Sequence, residues 1–373
     1  MRRVLAMVVG LVVLATVYLC LWPLPIAPER WSAPASAGYT GAHASNQRLA
    51  GLRQARIEPY TGPEHIEVGP DGKLYTGVLS GEILRMNPDG SGLAVVADTG
   101  GRPLGLAFDA GGRLIVADAL RGLLAVQSDG AITVLVDRIG DDPIRYADAV
   151  AVASDGAVLF TDASQRLSAR EYGTFDAALL DIMEHSCTGR LLRHDPASGR
   201  TEVVIGGLCF PNGVALSRDE RHLFVAETGE YRVWKIDAAA RGLDARDTAR
   251  DGSAAARVIA ANLPGFPDNL SRGDGGRIWT GLTKPRGAAI DALAGQPFLR
   301  AVTLRLPRLL WPVPPSYGHV IAFDEDGRVV ADLQDPSGGL AETSGVTEYH
   351  GRLYVQSLHA DAFGIVDAAA ATR

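Results

Sequence analysis

The chain is predicted to fold as an all-β, six-bladed β-propeller behind an N-terminal transmembrane helix. Three observations predict it: one hairpin phrase that returns six times, a turn-rich composition, and one long uncharged stretch at the N-terminus. The six copies read HIEVGPDGKLYTG from His65, GLAFDAGGRLIVAD from Gly105, AVAVASDGAVLFTD from Ala149, GVALSRDERHLFVAE from Gly213, NLSRGDGGRIWTG from Asn269 and VTEYHGRLYVQS from Val346. Each pairs period-two apolar spacing with a two-residue polar turn and a second strand, the pattern of a β-hairpin. Repeats built from short strands are how a propeller is written in sequence. With 43 Gly and 21 Pro among 373 residues the turn content suits an all-β chain, and 47% hydrophobic residues suffice for a large core.

Taken in order, residues 1–26 read as a membrane anchor, 27–55 as a linker and 56–373 as the propeller. Arg2 and Arg3 precede nineteen residues without a charge, 4–22, long enough to cross a hydrocarbon core of roughly 30 Å as a helix. Positive charge on the short side predicts a cytoplasmic N-terminus and a propeller on the periplasmic or luminal side. A cleavage site can be read in APASA at 33–37, but the apolar stretch is longer than a usual signal core, which favours a retained anchor. The Pro-, Ala-, Ser- and Gly-rich run that follows, 23–51, reads as a tether. The net charge of −7 argues against a nucleic-acid partner. Of the three cysteines, Cys187 and Cys209 flank a hairpin turning near Pro196. A bridge and two buried thiols both fit that spacing.

The residues just before each inner strand carry the chemistry. In blade order they are Glu64, the pair Pro103-Leu104, Asp148, Asn212, Asp268 with Asn269, and Ser344. Loops feeding the innermost strands meet around the channel mouth, so three carboxylates and two amides converge. Like charges at close range need something positive among them, and the simplest answer is a cation. Oxygen-only ligands select a hard ion, and the carboxylate–amide mixture suits Ca²⁺. His65 follows Glu64 on the opposite strand face and reads as a core residue. His185 falls in a predicted lid over the channel, FDAALLDIMEHSCTGR. The 288–310 insertion interleaves apolar residues with Arg300, Arg305 and Arg308, a basic amphipathic element for a membrane interface or a helix packed on the propeller side.

Four phrases, GPEHIEVGPDGKLYTG, GRLLRHDPASGRTEVVIGGLCFPNGVALSRDERHLFVAET, GFPDNLSRGDGGRIWTGL and GVTEYHGRLYVQS, carry a resemblance that runs over 62–366. The chain resembles the strictosidine synthase-like and adipocyte plasma membrane-associated protein family, within the group that holds gluconolactonases and paraoxonases. That resemblance implies a metal site at Glu64, Asn212, Asp268 and Asn269, with Asp148 standing where the family carries an asparagine. It also implies hydrolysis of small esters or lactones, with Asp268 as the base that activates water. Ser344 stands where the synthase uses a glutamate, and Leu104 where paraoxonases carry a histidine. Carbon–nitrogen bond formation is therefore the weakest of three expectations, and a non-catalytic binding propeller is the alternative to the hydrolase.

Overall fold

Why the six phrases become blades is visible in their turns. In the computed structural model, which describes residues 1–371, Gly69 donates its N–H to the Lys73 carbonyl at 2.8 Å and Gly72 donates back to the Gly69 carbonyl at 2.9 Å. The pattern recurs at Asp109 to Arg113 and Ala153 to Ala157. Each loop thus holds three residues and ends in a left-handed glycine, Gly72 at φ 71° and Gly156 at φ 84°. In these three blades the predicted two-residue turn is corrected, because the third residue lets an ordinary right-handed turn meet the twist of the strands; in blade six it stands, with His350 and Gly351 at φ 48° and 73° between paired Tyr349 and Arg352.

All six predicted hairpins are the inner two strands of six sheets, joined by outer strands of weaker pattern into sheets of four or five that are antiparallel except for the parallel fifth strand of blade three. Inner strands are buried on both faces because blade packs on blade. Ile115 and Ala117 of blade two meet Val150, Val158 and Phe160 of blade three in one cluster. The largest core side chains, Trp234 and Trp279, are almost wholly buried. Truncating either to alanine is expected to cost about 3–5 kcal/mol.

The ring is closed by a strand that straddles the expected boundary between linker and propeller, with three of its four residues on the linker side. Arg53–Arg56 pairs antiparallel with Ala362–Asp367, with Arg53 opposite Ile365 and Arg56 opposite Ala362. Joining both chain ends in blade six removes the open edge an unclosed sheet ring would present. Residues 372 and 373, the end of the predicted 56–373 propeller, lie outside the described residues. The stretch read as a tether is docked along the propeller. Trp31 stacks on His185 with ring centroids 4.1 Å apart, His43 Nδ1 lies 2.7 Å from Asp332 Oδ2, and Leu49 is buried. The N-terminal helix Arg2–Leu21 buries none of its residues and is long and apolar enough to be a candidate membrane span.

Candidate functional site

Five inner strands are bulged where they reach the channel mouth. The register slips between Pro103 and Gly105, Ala147 and Val150, Pro211 and Val214, Pro267 and Leu270, and Thr343 and Val346. A bulge re-aims a side chain. These ones sit at the predicted ring residues, and Glu64, Asp148, Asn212, Asp268 and Asn269 are all buried, each at most 5% exposed. Close approach of the strands needs a missing side chain at one key point. A Cβ on Gly213 would lie 2.1 Å from the Leu270 nitrogen, so glycine after Asn212 allows blades four and five to meet there.

Each loop that feeds the ring in blades two, three and four is pinned by a buried acid at the end of the second strand. Asp118 Oδ1 accepts from the Arg102 N–H, Asp162 Oδ1 from Tyr146 at 2.9 Å, and Glu227 Oε1 from Cys209 at 2.8 Å. Glu227 Oε2 in turn accepts from the Trp234 indole at 2.6 Å. The signal was in the sequence, as the acid that ends the phrases IVAD, LFTD and LFVAE.

Within the ring, Asn269 Nδ2 donates to Glu64 Oε1 and to the Glu64 carbonyl, both at 3.0 Å, while its own N–H donates to Asp268 Oδ1 at 2.8 Å. Asn269, expected among the metal ligands, therefore spends its amide protons on holding Glu64 in place. Ser344 Oγ donates to the Glu64 carbonyl at 2.6 Å. Burial raises the Glu64, Asp148 and Asp268 carboxyls, and their mutual charges raise Asp148 and Asp268 further. The hydrogen bonds from Asn269 and Asn212 pull Asp268 back toward its ionised form.

A fixed positive charge is present that the sequence reading missed. Arg102 is 4% exposed, donates from Nη2 to the Gly62 carbonyl at 3.1 Å, and interacts electrostatically with Glu64 and Asp148. With all three carboxylates ionised, the form a bound cation would favour, one guanidinium would leave the deficit of a single divalent cation. Among the described residues, three buried acceptors in the ring, Glu64 Oε2, Asp148 Oδ1 and Asn212 Oδ1, have no hydrogen-bond partner. Unpaired buried oxygens are costly, and an all-oxygen set of carboxylate and amide atoms fits a hard cation. These residues line a cavity of about 80 Å³ together with Arg102 and Tyr146.

Above it lies a larger, mainly apolar chamber of about 310 Å³. The two cavities share Phe175, Ala178, Phe210, Asn212, Asp268 and Leu358, so Asn212 and Asp268 form the floor of the chamber. The helix Thr174–Glu184 covers it, as the predicted lid. Cys187 and Cys209 form a disulfide that ties the end of this helix to the strand start carrying Asn212. His185 does not reach the chamber. It is buried under Trp31 with Nε2 2.9 Å from Glu230 Oε1. His65 is a core residue, as expected: its Nδ1 accepts from the Leu106 N–H at 2.9 Å, and burial lowers its pKa to about 4. A histidine that the sequence reading passed over, His359, borders the smaller cavity with Nδ1 2.6 Å from Glu342 Oε2.

The insertion is corrected in one respect. Its arginines form no free basic face: Arg300 is buried and donates to the Met183 carbonyl at 3.0 Å, Arg305 donates to the Leu19 and Trp22 carbonyls, and Arg308 pairs with Asp176 at 2.6 Å. Two of the three hold the cover helix or its end, and the third holds the N-terminal helix.

The cover helix also carries a pH-sensitive group. Asp181 is buried and its carboxyl is pushed up to about 7, first by burial and then by Glu184, against a hydrogen bond from Ser164. Folded, it keeps its proton up to about pH 7. Unfolded, it loses it near pH 4. The contribution of Asp181 to stability therefore falls as pH rises from about 4 to 7 and changes no further above that. Asp181→Asn is expected to abolish this slope, so that the melting-temperature gap between variant and parent widens from pH 4 to 7. Parallel melting curves across that range would refute it.

Comparison with known proteins agrees with the fold. The family described as "Strictosidine synthase-like, N-terminal" matches residues 41–86, and the "SMP-30/Gluconolactonase/LRE-like region" matches residues 66–298. The chain is 31% identical over 358 residues to the adipocyte plasma membrane-associated protein of Danio rerio, covering 89% of this chain and 82% of that one. It is 30% identical to strictosidine synthase-like 13 of Arabidopsis thaliana, covering 76% and 74%. Among solved structures, a gluconolactonase from Xanthomonas campestris superposes with a TM-score of 0.59 at 20% identity, over 93% of this chain and 99% of that one. The calcium-binding protein regucalcin from Agrobacterium tumefaciens gives 0.54 at 14% identity, over 85% and 94%. At those identities the likeness is one of fold. The matched length and the identity to full-length relatives place the chain in the SMP-30/gluconolactonase-like family of six-bladed propellers, on its strictosidine synthase-like and adipocyte plasma membrane-associated branch.

Proposed function

We propose that the protein is a membrane-anchored, Ca²⁺-dependent hydrolase of esters or lactones. One observation carries the reading: three unpartnered buried oxygens, Glu64 Oε2, Asp148 Oδ1 and Asn212 Oδ1, gather beneath an apolar chamber whose floor includes Asp268. Glu64, Asp148, Asn212 and Asp268 would hold the cation, and Asn269, which donates to Glu64 Oε1, would keep Glu64 oriented toward it. When bound, Ca²⁺ polarises the carbonyl and stabilises the developing oxyanion. The apolar wall of Phe175, Leu179, Phe210 and Phe266 excludes water from the acyl or ring carbons of the substrate. Asp268, at the boundary of both cavities, accepts the proton of the attacking water. Ser344 has its hydroxyl committed to the Glu64 carbonyl and offers no acid–base group, which disfavours amine–aldehyde condensation.

That relatives bear the names gluconolactonase and calcium-binding regucalcin supports the reaction class and the ion. Panels of esters and lactones, assayed with Ca²⁺ and with excess chelator, test the proposal. Metal-dependent turnover of at least one panel member is the expected result. Its absence across the panel hands the site to a binding propeller, the reading that Leu104 and Ser344 favour by offering no proton acceptor.

The anchor is part of the same proposal. With Arg2 and Arg3 on the short side of the apolar helix, the propeller is expected outside the cytoplasm. Protease added to intact cells or spheroplasts should degrade it while leaving cytoplasmic markers whole, and full protection would reverse the orientation.

A further inference from the structure

The chamber wall and the N-terminal helix belong to one surface. Arg305, at the end of the insertion helix Pro297–Arg305, donates to the carbonyls of Leu19 and Trp22 in the last turn of the helix Arg2–Leu21 and just beyond it. Directly after the helix, Ile26 is buried against Leu167 and Met183, with Leu24 and Leu304 packed on the same cluster. The chain leaving the candidate membrane span is thus bolted to the propeller within a few residues. A bilayer that holds the helix must hold the insertion at its surface.

The insertion is shaped for that position. Phe298, Leu299, Leu309, Leu310 and Val313 are all at least 45% exposed, and Leu309 is 94% exposed. Five large apolar side chains left in water on one segment mark an interaction face, and the partly exposed Trp311 beside them is a residue type enriched at bilayer interfaces. The same segment builds the chamber: Leu304, Trp311, Pro312, Val313 and Pro314 line it. Val313 is both a lining residue and 63% exposed, so the chamber opens on the apolar face. Apart from Asp268 at the floor, its charged lining residues are ion-paired, Lys284 with Glu342 at 2.6 Å and Arg308 with Asp176 at 2.6 Å.

We infer that the 298–314 segment lies in the lipid headgroup region beside the N-terminal helix, and that the chamber draws its substrate from the bilayer: an uncharged ester or lactone with a long aliphatic chain. The inference rests on the anchor and hydrolase readings above and adds the route and the substrate class. A cavity of about 310 Å³ stands at the small end of ligand pockets and suits a single aliphatic chain with its carbonyl at the floor. Each methylene withdrawn from water adds roughly fourfold to partition, so a chain of about ten carbons reaches the site dissolved in lipid rather than from solution.

The test uses the full chain in phosphatidylcholine nanodiscs, carrying Trp22→Phe so that the helix end contributes no signal. Lipids brominated near the headgroup should quench Trp311 fluorescence, and Leu309→Glu with Leu310→Glu should remove that quenching while carbonate extraction still finds the chain in the membrane. The double variant should lower kcat/KM for a decanoyl ester by roughly tenfold or more, and leave the acetyl ester of the same alcohol within twofold of the parent. Unquenched Trp311 in the parent, release of the chain by carbonate, or equal losses on both esters would overturn the inference. If neither ester turns over, the neutral probe N-decyl dansylamide reads the chamber directly. Binding in the nanodisc that is lost in Ala178→Trp upholds the lipid-facing chamber and removes only the hydrolase. No binding removes the chamber reading itself.

Discussion

Chelating Ca²⁺ is expected to lower the melting temperature of the protein, and Asn212→Ala is expected to abolish that response. Asn212 is the clean place to cut. Its Oδ1 is one of three partnerless acceptors in the ring, and it is the neutral one, so alanine removes a ligand without changing the balance between the carboxylates and Arg102. A cation that binds only the folded ring stabilises it by mass action, about 2.7 kcal/mol when free ion exceeds its dissociation constant a hundredfold. For a domain of this size that corresponds to a shift of roughly 5 °C. The ring lies where the starts of five inner strands converge, so its loss should be felt by the whole propeller rather than by one loop. Differential scanning calorimetry with Ca²⁺, with chelator, and with the variant in both conditions gives the four curves needed. A parent shown by elemental analysis to carry the ion, yet melting identically after chelation, would remove the cage. A variant that still answers to chelation would move the ion away from Asn212.

The parts of the molecule that were legible in the sequence are those where a single physical constraint repeats. Inner strands must be apolar on both faces and must turn tightly, so six copies of one phrase survive, and the residue preceding each copy stays in register with the channel. Glu64, Asp148, Asn212 and Asp268 could be lined up for that reason alone. Arg102 could not. It stands in GGRPLG, a loop that reads as surface, and only the third dimension shows its guanidinium buried beside Glu64 and Asp148. The closing strand Arg53–Arg56 was invisible for the opposite reason. Its sequence RQAR exposes three of four side chains, and the outermost strand of a blade needs no apolar pattern to pair. The arginines of the insertion misled because charge is usually a sign of solvent. Here Arg300 is buried on a backbone carbonyl, and Arg305 caps the N-terminal helix. Cys187 and Cys209 were undecided because equal distances from a hairpin turn fit a bridge and a pair of thiols equally well.

Asp268→Asn is expected to leave the fold and at least part of the Ca²⁺ response in place while costing roughly two decades or more of turnover, the usual worth of a general base. Asparagine keeps the size and a carbonyl oxygen for Asn269 N–H, which donates to Asp268 Oδ1 at 2.8 Å, but it cannot take a proton from water. The position of Asp268 makes the assignment specific. It borders both the small polar cavity and the apolar chamber, whereas Glu64 and Asp148 border only the former. Loss should fall on kcat, with KM little changed, because the chamber wall that binds the substrate is untouched. Ser344→Ala serves as the contrast. It removes a hydroxyl committed to the Glu64 carbonyl and no proton-transfer group, so its effect should be far smaller. If Asp268→Asn turns over the best substrate as fast as the parent, the base lies elsewhere. A titratable group at the smaller cavity outside the proposed cage is His359, held by Glu342 at 2.6 Å, and Glu342→Gln would then change the pH profile of kcat/KM where the Asp268 variant did not.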